Sequence, residues 1–173
     1  MKRFNQAALA MALLFSSASA LAYDGTVNFN GEIIDNTCII SLGNGSNSLV
    51  VPMGSVNKSS FTGTGSIAST TQFALVMTNC PAVNASVKFD GPTYEGDQNV
   101  LALNPGAGVA TGVGIQLYDK DMAALPLFTA SNPYQLKEGE DNIMRFYASY
   151  IAMAGSVTAG PANAVATFTV NYN

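Results

Sequence analysis

The sequence predicts an all-β sandwich, and three observations carry that prediction. Past the first 22 residues no segment sustains a helical repeat, and a single short helical turn near 68–72 is the most the pattern allows. Short β-prone runs alternate apolar and polar residues, and Gly-, Ser-, Thr- and Asn-rich stretches punctuate them. Both ends of the mature chain alternate as well, Gly25 to Ile33 at the front and Ala164 to Asn173 at the back. A loose strand at the start, and a last strand with nothing after it, suggest a sheet completed by a neighbouring molecule.

Residues 1–22 read as a signal peptide. Lys2 and Arg3 form a basic region, Ala7 to Phe15 an apolar core, and Ala20-Leu21-Ala22 a small-x-small cleavage site. The apolar run is shorter than the roughly 20 residues that span a bilayer. The expected product is exported and begins at Tyr23, which leaves 151 of the 173 residues, the size of one domain with a real core.

Along that domain the expected strands follow in order. Cys38 to Leu42 comes first, ended by Gly43-Asn44-Gly45, and a short strand over Leu49 to Val51 stops at Pro52. Residues 57–65 are small and polar, hence a loop. Gln72 to Thr78 places Phe73, Leu75 and Met77 on one face and runs into Cys80. Ser86 to Phe89 and Val100 to Leu103 are separated by a Gly/Pro/Asp loop. Val113, Ile115 and Leu117 alternate before the turn Asp119-Lys120-Asp121. Asn142 to Met153 is the longest alternating run, with Met144, Phe146, Ala148 and Tyr150 on its inner face. The loop 155–163 leads into the last strand. There is no composition break and no internal repeat.

Charge and chemistry exclude several functions. Loss of Lys2 and Arg3 takes the formal charge from −4 to −6, the wrong sign for a nucleic-acid binder or for attraction to anionic lipid. Charged residues make up only 10% of the chain against 48% hydrophobic, which excludes a disordered tail. With no histidine, Ser-His and Cys-His nucleophile pairs are excluded, and no Cys-x-x-Cys spacing offers a metal site. No cofactor is expected. Glu138-Gly139-Glu140-Asp141 lacks a spaced set of oxygen ligands and reads as a solvated turn. In an exported chain, Cys38 and Cys80 most simply pair with each other.

The order of several fragments resembles the pilin subunits of the chaperone–usher pathway, specifically the type 1 fimbrial family. These fragments are Phe29-Asn30-Gly31-Glu32-Ile33-Ile34 before Cys38, Asn79-Cys80, Asn99 to Leu103, Gly112 to Leu117, and the ending Ala166 to Tyr172. The glycine seven residues before Cys38 and the penultimate tyrosine strengthen the resemblance, which spans the whole mature chain. It implies an incomplete immunoglobulin-like sandwich lacking its last strand, over residues 36–173, preceded by an N-terminal donor-strand extension over residues 23–35. It further implies a structural subunit of a bacterial surface fimbria, not an enzyme, exported through the periplasm to the cell surface. The partners it implies are other copies or related pilin subunits, a periplasmic chaperone and an outer-membrane usher.

The residues support the donor reading on their own terms. Period two places Val27, Phe29, Gly31 and Ile33 on one side of an extended segment. Patterning alone fits equally well a first strand of the chain's own domain. Cys38, which anchors a separate following strand, favours donation. Phe168, Val170 and Tyr172 share a face of the final strand, whose free edge would border the vacancy. By resemblance that edge, with Asn173 at its end, is where the chaperone binds. A minor adaptor subunit at the tip and a glycan-binding adhesin module are the alternatives. Adhesins of this pathway generally carry an extra lectin domain, for which 151 residues leave no space.

Overall fold

The computed structural model describes residues 26–30, 38–42 and 48–173. Among these residues nine strands build two sheets: β1 (Ile39–Ser41), β2 (Ile67–Thr78), β3 (Asn84–Asp90), β4 (Thr93–Tyr94), β5 (Asp97–Leu101), β6 (Val113–Tyr118), β7 (Tyr134–Gln135), β8 (Asn142–Ala152) and β9 (Thr167–Tyr172). One sheet runs β1-β2-β8-β6-β5-β4 and the other β7-β3-β9. Every pairing is antiparallel. The chain divides at Ile33/Ile34, so that residues 34–173 form the compact body.

Alternation decides which side chains close the sandwich. Leu75 and Met77 of β2, Met144, Phe146, Ala148 and Tyr150 of β8, and Val113, Ile115 and Leu117 of β6 are all buried, as their period predicts. Ala85, Val87 and Phe89 of β3 meet them from the second sheet. Phe146 is the centre: its ring lies 5.1 Å from that of Phe89, edge to face, and 5.7 Å from both Phe73 and Tyr134.

Three expectations need correction. Residues 68–72 are not a helical turn but part of β2, interrupted by a bulge between Ala68 and Thr71 where Ser69 takes φ of 55°. Thr70 and Thr71, β-branched, favour the strand, and the Ser69 hydroxyl donates to the Met53 carbonyl. Leu49 to Val51 forms no strand; it is extended, with Val50 82% exposed. Pro52 removes a donor there, and no neighbouring strand pairs with it among the described residues. The strand expected to reach Leu103 ends at Leu101, because the Ala102 amide turns away to the Pro92 carbonyl. The hairpin β4–β5, unanticipated, turns on Glu95 and Gly96, both at positive φ.

Candidate functional site: an apolar groove beside an unpaired strand

Among the described residues the last strand is paired along one edge and open along the other. β9 bonds to β3 in the register Ala85↔Tyr172, Val87↔Val170 and Phe89↔Phe168, and among the described residues nothing pairs with its other edge. β1 likewise bonds only to β2. A strand edge with unused amide and carbonyl groups is a template for another strand.

The side chains along this edge are unfinished too. Ala162, Ala164, Ala166, Phe168, Val170 and Tyr172 are all half-buried, in strict period two, while the residues between them are exposed. The core strands bury the same kind of face completely. A second half-buried apolar row comes from the chain after β1: Leu42, Leu49, Met53, Val56 and Phe61. Both rows pack on the one hydrophobic core, and neither is capped by a described strand. This is the geometry of a sandwich with one strand still to be added.

Hydrogen bonds fix the segment that leads into β9. Met153 N donates to Gly112 O (2.8 Å), Ala110 N to Pro161 O (3.0 Å) and Asn104 N to Asn163 O (2.7 Å). Thr111 N donates to the Thr158 hydroxyl (2.8 Å), and the Tyr150 hydroxyl to the Ala162 carbonyl (3.0 Å). Burial raises the Tyr150 pKa, which keeps this hydroxyl a donor. Gly160 is obligatory at this clamp, since a Cβ there would collide with the Gly108 carbonyl and the Ala110 amide. Where the clamp faces the 54–61 segment, a cavity of about 270 Å³ opens, with Val56, Phe61, Val113, Tyr150 and Val157 among its walls and the exposed Lys58 beside them.

Among the described residues, several polar groups elsewhere tie turns together. The buried Asp119 carboxylate accepts from Asp121 N, Ala123 N and Asn132 Nδ2, and thereby ties the turn after β6. Burial, then the Asp119 charge, pushes the Tyr134 pKa up to about 12, and its hydroxyl donates to Arg145 O at 2.6 Å. Glu138 to Asp141 is an exposed turn with Gly139 at φ of 74° and a Lys137–Glu140 pair. Among the described residues no cluster of metal ligands exists.

The singled-out residues fall as follows. Cys38 and Cys80 form the disulfide, which ties the start of β1 to the end of β2. Phe168, Val170 and Tyr172 line the unpaired edge, and Asn173 exchanges backbone hydrogen bonds with Asn84. Val27 and Phe29 are 77% and 93% exposed, unusual for side chains of this kind. Gly31 and Ile33 lie outside the described residues. The clamp, the 49–61 row and Lys58 were not singled out from sequence. Their only signal was the density of small residues at Gly106, Gly108, Gly112 and Gly160.

A sequence profile of the family described as fimbrial protein matches residues 27–173. The chain belongs to the fimbrial protein family. It is 31% identical to long polar fimbria protein A of Salmonella typhimurium, over 99% of this chain and 97% of that one. To the type-1 fimbrial protein A chain of Escherichia coli K12 it is 39% identical, covering 93% of each. Among solved structures, a type I fimbria protein of Burkholderia pseudomallei aligns with a TM-score of 0.60 and 39% identity, over 86% of this chain and 97% of its own. The P pilus rod subunit PapA, 21% identical, aligns with a TM-score of 0.62 over 79% and 99%, and shares the fold. The fold is thus the incomplete immunoglobulin-like sandwich of these pilins. As a fimbrial protein the chain is a structural subunit rather than an enzyme, exported through the periplasm to the surface fimbria.

Proposed function

We propose that this subunit polymerises head to tail, the groove beside β9 of each copy receiving residues 23–35 of the next copy to arrive. The observation that carries the proposal is the unpaired β9 edge with its half-buried row from Ala162 to Tyr172. Strand addition to a free edge is a recurrent recognition mode, of which chaperone–pilin complementation is a known case. Residues 1–22 are removed on export, and 36–173 form the acceptor domain. A periplasmic chaperone covers the groove first, pairing with Phe168, Val170 and Tyr172, and an outer-membrane usher then exchanges it for the donor. The fimbrial relatives named as major or A-chain subunits favour a place in the shaft.

The fold supports one direction for the donor. In an immunoglobulin sandwich the final strand runs antiparallel to its predecessor. The donor's front, Gly25, then lies beside Tyr172, and its rear, Ile33, passes the start of β9 to lie opposite Ala164, next to the 270 Å³ cavity lined by residues 157–163. Val27 and Phe29 lie against the row between, and Gly31 passes where a side chain has least room. Burying Val27, Phe29 and Ile33 contributes about 1.5–3 kcal/mol each. Ordering the segment costs roughly 1–2 kcal/mol per residue. The balance depends on main-chain bonding and on fit, so one wrong side chain is decisive. Phe29→Asp or Gly31→Glu is expected to leave the chaperone-bound subunit intact and to abolish the heat-sensitive ladder of multimers on gels of surface extracts. A normal ladder from these variants would refute strand donation.

A further inference from the structure

We infer that Lys58 is a recognition cation for the incoming copy, pairing with the carboxylate of that copy's Asp35. The inference rests on the strand-donation reading and adds to it an electrostatic element outside the apolar fit. After the signal peptide the chain carries five cations: Lys58, Lys88, Lys120, Lys137 and Arg145. Lys88, Lys120 and Lys137 each hold a carboxylate, at 3.2, 2.5 and 3.4 Å. Lys58 and Arg145 hold none among the described residues. Arg145 alternates with the buried Met144 and Phe146 and so lies on the outer face of β8, away from the groove. Lys58 is exposed and lines the cavity between residues 54–61 and the 157–163 segment that leads into β9.

The donor supplies the opposite charge. Residues 23–37 contain Asp24, Glu32 and Asp35 and no cation. Of the three, only Asp35 combines the right place and the right side. With Ile33 next to the cavity, Asp35 lies on the same side of the strand, about 6.6–6.8 Å further along. Glu32 points to the opposite side, and Asp24 lies at the far end of the donor, beside Tyr172. A lysine on a flexible four-carbon stem reaches such a carboxylate without demanding fixed geometry. An exposed pair of this kind adds little affinity but accelerates encounter and sets register, and salt weakens it.

The test follows uptake of a fluorescent peptide of residues 23–37 by the full mature subunit as it refolds, at 20 and 500 mM NaCl. At low salt Lys58→Glu is expected to slow uptake on the order of threefold to tenfold, and peptide carrying Asp35→Lys is expected to restore it. At high salt the difference disappears. Peptide carrying Glu32→Lys restores nothing. Unchanged uptake by Lys58→Glu at low salt, or no rescue by Asp35→Lys, overturns the pairing. Peptide carrying Phe29→Asp separates the two ideas. If it is taken up as well as wild type, or wild-type peptide is not taken up at all, strand donation itself fails. If Phe29→Asp peptide is excluded while Lys58→Glu is neutral, only the ion pair falls.

Discussion

Single residues decide whether the sandwich has one packing. Phe146 is fully buried, with Phe73, Phe89 and Tyr134 around it, and Phe89 in turn touches Phe168 of β9 at 6.4 Å. A hole at Phe146 therefore reaches the groove wall through one intermediate ring. Phe146→Ala is expected to destabilise the subunit by about 3–5 kcal/mol, and Phe146→Leu by less. Denaturant titration of chaperone-held subunits would register both as lower midpoints, and equal midpoints for Ala and wild type would show the ring cluster to be dispensable. The inward placing of Phe146 was legible in the sequence, because period two alone sorts it from Arg145 and Tyr147. The Tyr150–Ala162 hydrogen bond was not. It joins residues whose meeting depends on the path of the 153–163 segment, and no local pattern encodes a hydroxyl's partner in a distant loop.

The elements around the groove are short and depend on crosslinks. β1 has three residues and, among the described residues, one neighbouring strand, too little pairing to hold itself in place. The Cys38–Cys80 disulfide does so, closing a loop of 42 residues between its cysteines' positions. The chain-entropy estimate for such a loop is about 4 kcal/mol. Cys38→Ser with Cys80→Ser is expected to release β1 and the half-buried row that follows it, and so to spoil the acceptor before the donor. In cells this reads as loss of periplasmic subunit and of the multimer ladder together. A full ladder from the double variant would show that β2 pairing alone suffices. Pairing of the cysteines, and the long strands β2, β6 and β8, could be foreseen from spacing and alternation. Leu49 to Val51 could not, since its β-prone residues find no hydrogen-bonding neighbour within the described chain. The bulge at Ser69 hid inside a polar Ser-Thr-Thr run that carries no apolar alternation.

At the scale of the whole molecule, the open strand β9 and the segment that would complete its edge are far apart in sequence. The antiparallel direction inferred for the donor makes a specific demand. Its Gly25 end must come to rest near Tyr172, close enough for a hairpin turn to join the two. Residues 23–35, moved from the front of the chain to a position after Asn173 through a turn of about four residues, should then fold back as the missing strand of the same copy. The expected product is a monomer in gel filtration that unfolds reversibly on heating and forms no ladder, because its groove is already filled and no free donor remains. The same rearranged chain carrying Phe29→Asp should aggregate, as a free strand edge favours, since the charged side chain cannot enter the apolar row. A reversed direction predicts otherwise: a short turn could not bring a parallel donor back along β9, and the rearranged chain would still associate. Monomer formation with a short turn, its loss with Phe29→Asp, and its insensitivity to Lys58→Glu at high salt together would fix the donor's path along the groove from Tyr172 to the cavity beside Lys58.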